Sequence, residues 1–502
     1  MHLQRVRVPD FRVLQDVDIE FEKEFSPKVF PLGSQNGGGK STLLQLIFVL
    51  LHCSQDPERI VFLQNFLEGF QIPEGSNKRD LASFEIWDGK KTVLLEFFCC
   101  NDSYLAELVE SSSSEDDSSL DIYDKTYLKF DVSEDLEPVK KDISRLKNNV
   151  AFLSNKIAFL NREKVRININ NNKKHIETLQ QQILSGLSLG KDEKNVINKR
   201  MQELSGQEEL REELVSILNK FEDSLEENRK KLNSIKNSKR NAINVLKKEN
   251  LLHFCNYSND NQTINKIALI GHVNFIDLAE SVYFVERLSR QIFFAAPVTQ
   301  AFLFLPKKTR KLLFSTQDIR NDYYGKLEYA REGLTGFFPY DFLAVDLLVE
   351  SFKAARDEDF YEGIATGEYG THYKTLLKQL RSILHDKMVY LNKELSGVTI
   401  KINRNGEEVE LYPEDLSHGE LKRLSIYIWL KHRNIENAIV LMDEIETAFH
   451  PEWQYKIVRD LQDWAPSNQY ILATHSYDLC EAVTPAHVRE LEPKLLKSGA
   501  EE

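Results

Sequence analysis

The stretch Gly33-Ser34-Gln35-Asn36-Gly37-Gly38-Gly39-Lys40-Ser41-Thr42 follows a short apolar run and leads into a second one, Leu43 to Leu51. This order predicts a strand, a glycine-rich loop and a helix. Consecutive glycines let backbone N–H groups wrap a polyphosphate at a helix N-terminus. Lys40 is expected to meet the β and γ phosphates, and the Ser41 hydroxyl a Mg²⁺ ion. Gly33 stands one place earlier than the usual pattern has its first glycine, so a plain glycine-rich turn is the alternative.

Composition limits the classes of protein that fit. The 502 residues carry a formal net charge of −13, which argues against a surface that binds nucleic acid throughout. Residues 140–249 are the exception, with 24 Lys and Arg against 15 Asp and Glu. The apolar run Leu43 to Leu51 is too short to span a bilayer, so we expect a cytoplasmic protein without membrane contact.

The five cysteines form no C-x-x-C pair, and their number is odd. A disulfide framework or a zinc site is therefore not expected. We expect buried thiols at Cys53, Cys99, Cys100, Cys255 and Cys480.

Three motifs near the C-terminus complement the glycine-rich loop. Asp415-Leu416-Ser417-His418-Gly419-Glu420 precedes a helical pattern, and a serine and a glycine at a helix N-terminus favour anion binding. The apolar run 438–442 ends in Asp443-Glu444, and the run 469–473 ends in Thr474-His475-Ser476. Both runs are typical of buried parallel strands, whose carboxyl ends bind ligands in α/β folds.

These strand ends suggest chemical roles. Asp443 is expected to hold Mg²⁺ through its water shell, and Glu444 to accept a proton from an attacking water. His475 is suited to hydrogen-bonding a γ-phosphate. Each motif alone has a structural alternative, and their order along one chain is what favours a nucleotide site.

The set resembles the nucleotide-binding head of ABC-type ATPases, in the class shared by SMC, RecF, RecN and OLD-family proteins. The fold class implied is α/β, an ABC-type ATPase head with a mixed sheet around the P-loop, interrupted by an antiparallel coiled-coil hairpin. ATP and Mg²⁺ are the implied cofactors. The implied nucleotide-binding residues are Asn36, Gly37, Gly38, Gly39, Lys40, Ser41, Thr42, Ser417, Gly419, Glu420 and Arg12; the metal ligands are Ser41 and Asp443; and the catalytic residues are Glu444 and His475.

Two departures from the family pattern stand out. His418 occupies the usual first glycine of the signature motif, and Asp443-Glu444-Ile445-Glu446 followed by His450-Pro451 is closer to OLD-like ATPases than to transporters. The glutamine of the Q-loop has no certain position, with Gln64 and Gln71 as candidates.

Four regions are expected along the chain. Residues 1–135 form the N-terminal half of the head, 136–250 a coiled-coil hairpin, 251–395 a connecting region and 396–502 the C-terminal half. The hairpin is inferred from apolar residues at heptad spacing on both sides of Ser185–Gly190, where the chain is expected to reverse. Its arms would each have about 45 residues, and an ordinary helical subdomain is the alternative.

Local turn signals predict further strands. Asp88-Gly89 lies between two β-like runs, and so does Asn403-Arg404-Asn405-Gly406. Met1 to Glu22 is expected to form two strands around the turn Pro9-Asp10-Phe11-Arg12. The polar run 110–119 is expected to be a disordered loop.

The resemblance also implies how such a protein acts. In this class the signature motif of one head completes the ATP site of another, so a homo-oligomer with ATP between its heads is expected. Heads with a short coiled coil resemble the ATPase subunits of bacterial antiphage systems, such as PtuA of Septu, AriA of PARIS and retron-associated ATPases. Those assemble into oligomers and control a separate effector nuclease, so such a nuclease is the expected partner of this chain, with DNA or a phage protein as the expected trigger. The alternatives are a DNA-repair ATPase of the RecF or RecN type that clamps DNA, and a structural scaffold with an inactive nucleotide site.

Overall fold

The computed structural model describes residues 1–34, 37–101, 104, 133–163, 173–204, 207–258, 266–275, 277–312, 320–339, 345–384, 387–404, 406–412 and 415–491. The chain divides into two compact units. We name Met1–Glu107 with Leu246–Glu502 the head unit, and Leu108–Val245 the helical unit.

The strands are β1 (His2–Phe11), β2 (Leu14–Glu20), β3 (Val29–Gly33), β4 (Lys78–Trp87), β5 (Thr92–Cys100), β6 (Leu251–Ser258), β7 (Lys266–Val273), β8 (Ile292–Ala296), β9 (Phe337–Pro339), β10 (Lys387–Leu391), β11 (Val398–Arg404), β12 (Glu407–Leu411), β13 (Ile439–Asp443), β14 (Gln469–Thr474) and β15 (Arg489–Glu490).

The α-helices are α1 (Lys40–Cys53), α2 (Ile60–Leu67), α3 (Ser133–Glu163), α4 (Lys173–Gly186), α5 (Lys191–Gln202), α6 (Gln207–Lys248), α7 (Leu278–Ser289), α8 (Lys307–Leu312), α9 (Arg320–Gly333), α10 (Val345–Thr366), α11 (His372–Leu384), α12 (His418–His432), α13 (Pro451–Trp464) and α14 (Tyr477–Glu481).

A parallel sheet of the order β15-β3-β14-β13-β8-β9 forms the centre of the head unit. Its strands are covered on both faces, which explains their continuous apolar runs. Val440 and Met442 belong to the core that includes residues of α12 and α13. On α1, the ring of Phe48 lies 5.4 Å from that of Phe294 in β8, measured between centroids.

The antiparallel strands of the head unit form sheets of their own, in the orders β2-β1-β4-β5-β7-β6 and β10-β11-β12. The α/β class is confirmed, but the P-loop strand belongs to a sheet that is parallel throughout, so the expectation of one mixed sheet is wrong. The reason lies in hydrogen bonding: among the described residues β3 pairs with β14 and β15 alone, whereas β1, which precedes it, pairs with β2 and β4.

Both predicted hairpins are confirmed. β4 and β5 pair antiparallel around Asp88, whose carboxylate accepts the N–H groups of Lys90 and Lys91 at 2.7 and 2.8 Å. β11 and β12 pair around Gly406, whose N–H donates to Asn403 at 2.9 Å. The turn between β1 and β2 begins at Arg12, so β1 extends through residues 9–11, which had been expected in the turn.

The helical unit differs from the predicted hairpin. Near the start of α3, Val139, Ile143 and Leu146 pack with Leu225 of α6, on the predicted heptad faces. Farther along, however, the Asn149 side chain of α3 bonds the backbone N–H of Ser188 at 2.9 Å and its carbonyl at 3.2 Å. The end of α4 therefore lies beside the middle of α3.

The reversal at Ser185–Gly190 consequently joins the short helices α4 and α5, not two long arms. A second apolar core accounts for this arrangement. Four helices and Leu187, just after α4, bury residues in it together: Leu153, Leu160, Ile176, Leu179, Ile183, Leu187, Met201, Leu210, Leu214 and Ile217. The prediction of two arms of about 45 residues around that turn is wrong, since heptad spacing does not distinguish two helices from four.

Four of the five cysteines are buried free thiols, and Cys480 is half-buried. In the part of the chain that the structure describes, no helix has the length and apolarity needed to cross a membrane. The predicted loop 110–119 lies outside the described residues.

Candidate functional site

The predicted site residues of the loop and of the two strand ends come together at one edge of the parallel sheet. β14 lies between β3 and β13, with Thr474 paired to Gly33 and Ala473 to Asp443. Because the strands are parallel, their carboxyl ends share this edge. The glycine-rich loop, Asp443-Glu444 and His475 therefore follow three neighbouring strands.

The glycine-rich loop ends at Gly39, the residue before α1. Its φ of 89° lies in the left-handed region, and a Cβ there would lie 2.7 Å from Leu14 Cδ2. Only glycine fits this conformation and this approach. Lys40 is buried, and its Nζ donates to the carbonyl and the hydroxyl of Ser34 at 3.0 Å each.

The structure describes all but one of the other predicted residues of the loop and of the first turn of α1. Gly37 also has a left-handed φ, 81°, and Gly38 is buried. Ser41 and Thr42 are half-buried in the first turn of α1. Asn36 lies outside the described residues.

Asp443 is a buried carboxylate at the end of β13, with 1% of its surface exposed. Its side chain is hydrogen-bonded to Ser41, and its Oδ2 has no hydrogen-bond partner among the described residues. Burial raises the pKa of Asp443 to about 6, and the carboxylates of Glu444 and Glu446 contribute to the rise. A buried unpaired oxygen is costly, so this position suits a cation bound from outside.

The donor set around Asp443 fits Mg²⁺. This ion is typically held by one or two protein oxygens together with phosphate and water. Ser41 and Asp443 supply a hydroxyl and a carboxylate that already touch. Among the described residues no cluster of three or more His, Cys, Asp and Glu forms a self-sufficient metal site.

Glu444 follows Asp443 in the left-handed conformation, with φ of 52°. Its N–H donates to the carbonyl of Ala473 at 3.1 Å, and its own carbonyl accepts from Lys422 Nζ at 2.9 Å. The backbone is thus held on both sides. The half-buried side chain projects from a turn whose backbone is held by β14 and α12.

His475 is exposed, and its position is set by a carboxylate that the sequence reading gave no role. Its backbone N–H donates to Glu446 Oε1 at 2.7 Å. A second bridge lies beside it, because Ser476 Oγ donates to Gln454 Oε1 at 2.5 Å and Gln454 Nε2 donates to the carbonyl of Phe449 at 2.8 Å. The loops after β13 and β14 are therefore tied together twice.

The signature segment begins α12 with a capping box. Ser417 Oγ accepts the N–H of Glu420 at 3.2 Å, and Glu420 Oε2 accepts the N–H of Ser417 at 2.9 Å. The other carboxylate oxygen of Glu420 pairs with Lys387. Burial acts to raise the pKa of Glu420, but the bonds from Lys387 and Ser417 hold it below its usual value.

Gly419 brings α12 against the loop after β13. A Cβ at this position would lie 2.8 Å from the carbonyl oxygen of Ala448, closer than any side chain allows. Ser417 and His418, the two residues before Gly419, are exposed. The signature segment therefore packs against the loop after β13 through Gly419 and leaves Ser417 exposed to solvent.

Arg12 lies in the turn between β1 and β2, and the next residue, Val13, is one of the neighbours that a Cβ at Gly39 would meet. Its guanidinium is turned toward α2, where Nη2 donates to the carbonyl of Phe66 at 2.7 Å and the group lies 4.4 Å from the centre of the Phe66 ring. The turn thus adjoins the glycine-rich loop while the charged group caps a helix.

Gln300 is a polar residue near this edge of the sheet that the sequence analysis does not predict. β8 lies next to β13 and ends at the same edge, and the short helix that follows it carries Gln300. Gln300 Oε1 accepts from Gln45 Nε2 of α1 at 2.5 Å. The candidate Gln64 instead donates to the carbonyl of Asn256 at 2.7 Å. The apolar run 292–296 before Gln300 was the available signal.

Comparison with known proteins gives a family match and a partial relative. A family model described as the AAA ATPase domain matches residues 1–480. The Retron Vc95 probable ATPase of Vibrio cholerae serotype O1 biovar El Tor is 33% identical over 97 residues, which is 17% of this chain and 18% of that protein. The aligned part thus spans less than a fifth of the relative.

Among solved structures, the Smc head domain with an extended coiled coil from Pyrococcus furiosus aligns over 96% of this chain and 92% of its own, with 9% identity and a TM-score of 0.29. The recombination mediator protein RecF of the RecFOR pathway aligns over 95% and 94%, with 13% identity and a TM-score of 0.24. Scores this low do not establish a shared function.

Proposed function

This chain belongs to the AAA ATPase domain family, and from that premise we propose that it is the ATP-hydrolysing subunit of a bacterial antiphage defence system. The ATPase part of the proposal rests on one observation: the loop that precedes Lys40, the buried Asp443 and the carboxylate Glu444 share an edge of the parallel sheet. That arrangement supports phosphoryl transfer to water, in which positioning and charge do most of the work.

The residues of the chain divide this work. Lys40 neutralises phosphate charge, and the backbone N–H groups at the start of α1 bind phosphate oxygens. Glu444 takes a proton from the attacking water. The water oxygen forms a bond to the γ-phosphorus, and the bond between that phosphorus and the departing ADP breaks. His475 donates a hydrogen bond to the γ-phosphate. Ser41 and Asp443 would hold Mg²⁺, which supplies charge neutralisation to the phosphates when bound.

ATP turnover by the purified chain tests the first part of the proposal. We expect Lys40→Ala to weaken ATP binding, and Glu444→Gln to bind ATP and hydrolyse it at least about 100-fold more slowly. Glu452 is an exposed acidic residue on α13, so Glu452→Gln is the matched control. Equal turnover by the wild type and Glu444→Gln would refute the assignment of the base.

Assembly is the second part. The exposed Ser417 beside the packed Gly419 supports a head-to-head contact, in which α12 of one copy meets the nucleotide of another. Sedimentation of Glu444→Gln with and without ATP tests it, because a variant that keeps ATP should stay associated. A sedimentation coefficient that ATP does not change would contradict this part.

The defence role is the third part, and the retron ATPase relative supports it. In this role the oligomer controls a separate effector nuclease and responds to a phage component or to DNA. Purification of the tagged chain from cells that carry its genomic neighbours, with Lys40→Ala as control, tests the role by mass spectrometry. A stoichiometric nuclease is the expected result, and recovery of the ATPase alone would contradict it.

A second function, clamping of DNA in repair, is favoured by the charge of one helix. Residues 229–248 of α6 contain eight Lys and Arg and no Asp or Glu. Binding through such a stretch would make ATP turnover depend on duplex DNA, with an affinity that falls steeply as salt rises. Turnover unaffected by DNA at low salt would exclude this alternative.

A further inference from the structure

Glu446 lies three residues after Asp443, in the loop between β13 and α13, and the roles proposed above do not include it. Its Oε1 accepts the backbone N–H of His475 at 2.7 Å. Its Oε2 is buried and has no hydrogen-bond partner among the described residues. The side chain therefore connects the loop after β13 to His475, the residue that follows the neighbouring strand β14.

The surroundings of Glu446 are those of the site itself. Its negative charge acts on two groups of the site. It opposes burial, which lowers the pKa of Lys40, and it adds to burial, which raises the pKa of Asp443. Holding a half-buried carboxylate beside two others is unfavourable, and a hydrogen bond to one backbone amide offsets little of that cost. Gln454 forms a second link between the same two loops nearby.

We propose that Glu446 is a positioning residue for ATP hydrolysis, which holds His475 in the orientation that meets the γ-phosphate. The proposal rests on the proposed ATPase function. The backbone of His475 is anchored to the loop that carries Asp443 and Glu444, so the imidazole and the base move as one assembly. Loss of the anchor frees the residue after β14 while leaving the phosphate loop intact.

Substitution of Glu446 separates positioning from binding. Glu446→Ala removes the acceptor, and because a misplaced group can cost on the order of 100-fold in rate, we expect kcat to fall 10- to 100-fold, with KM for ATP within about threefold of the wild type. Glu446→Gln keeps an oxygen for the amide of His475 and should restore most of the loss. Glu452→Ala, on the exposed face of α13, is the matched control and should leave kcat unchanged.

A double-substitution cycle with His475→Ala decides the inference. If Glu446 acts through His475, Glu446→Ala should cost nothing further once the imidazole is gone. Amide exchange of the segment after β14 should be faster in Glu446→Ala and unchanged in Glu446→Gln. Additive losses in kcat, or equal protection of these amides against exchange in all variants, would overturn this inference and leave the proposed ATPase function standing. A wild-type protein without ATP turnover would refute the proposed function as well.

Discussion

The carboxyl edge of the parallel sheet and the N-terminus of α12 are both predicted to contact nucleotide, yet their polar atoms are in opposite states. At the sheet edge, Asp443 Oδ2 and Glu446 Oε2 are buried without partners among the described residues. At α12, Ser417 and Glu420 satisfy each other, and Lys387 pairs with the remaining carboxylate oxygen.

The difference separates two kinds of site. A buried unpaired oxygen costs about 1–3 kcal/mol, so two carboxylate oxygens left unpaired at one sheet edge favour an external ligand there. A capping box stabilises a helix by about 1 kcal/mol without any ligand. The sheet edge thus suits the proposed ion and nucleotide, whereas the N-terminus of α12 is capped within the chain and its exposed serine remains to meet a partner.

The largest expected effect comes from Asp443→Asn. We expect ATP turnover to fall at least about 100-fold, because the amide cannot neutralise the cation as the carboxylate does. The free energy of unfolding without ligand should rise by about 1–2 kcal/mol, since no charge is then buried. Turnover and urea unfolding, measured on the same preparations, check both statements.

Asp460→Asn is the matched control for that substitution. Asp460 is bonded to Arg423 through both carboxylate oxygens, at 2.7 and 2.8 Å. The same change there should lower the free energy of unfolding by about 1–3 kcal/mol, since it weakens charged hydrogen bonds. If both variants change stability in the same direction, the contrast between unpaired and paired carboxylates fails.

His52 lies at the opposite end of α1 from Lys40. It is buried, and both nitrogens of its ring have hydrogen-bond partners. Its Nδ1 bonds the carbonyl of Ser289 at 2.7 Å, and its Nε2 accepts the N–H of Gly336 at 3.2 Å. Burial lowers the pKa of His52 to about 3. The stability it contributes is therefore complete above about pH 6.5 and is lost as the pH falls toward 3.

We expect wild-type protein to lose about 1.4 kcal/mol per pH unit more than His52→Gln between pH 6 and pH 4, measured by urea unfolding. At pH 7.5 the variant should be less stable by about 2 kcal/mol while its folded fraction keeps its ATP turnover. Parallel pH profiles for the two proteins would contradict the burial of a neutral imidazole.

Ser417→Ala examines the open end of α12. Loss of the cap should lower the free energy of unfolding by about 1 kcal/mol, and ATP-dependent association in the Glu444→Gln background should weaken about tenfold. Asp277→Ala, which removes the cap of α7, is the control for the loss of a cap alone. Equal association of the two variants would argue that Ser417 serves only its own helix.

Glu420→Gln should have the smallest effect. The amide keeps the capping acceptor and loses only the charge that pairs with Lys387, so we expect a loss of about 1 kcal/mol at neutral pH. Because the pKa of Glu420 is held below its usual value, this contribution is complete above the ordinary pKa of a glutamate, about 4.3, and is lost as the pH falls further through the lowered pKa. Urea unfolding at pH 7 and at a series of pH values below 4 measures the difference.

Much of the head unit could be predicted from local patterns. The hairpin around Asp88, the buried strands β13 and β14 and the glycine-rich loop before α1 each have a signal within about ten residues. These signals are reliable because turn geometry and burial on both faces act locally. The helical unit was predicted less well, since the heptad pattern fits two helices or four, and the cores that decide between them join residues far apart in sequence.

The sequence alone determined which groups to expect at the candidate site, because the order of the glycine-rich loop, Asp443-Glu444 and His475 along one chain favours a nucleotide site. Only the tertiary structure decided how they are held: that Asp443 keeps an unpaired oxygen, that Glu420 is occupied by Lys387, and that Glu446 reaches the amide of His475. The reason is physical. Hydrogen bonds between loops depend on the order of strands in the sheet, and strand order is set by the burial of the whole head unit.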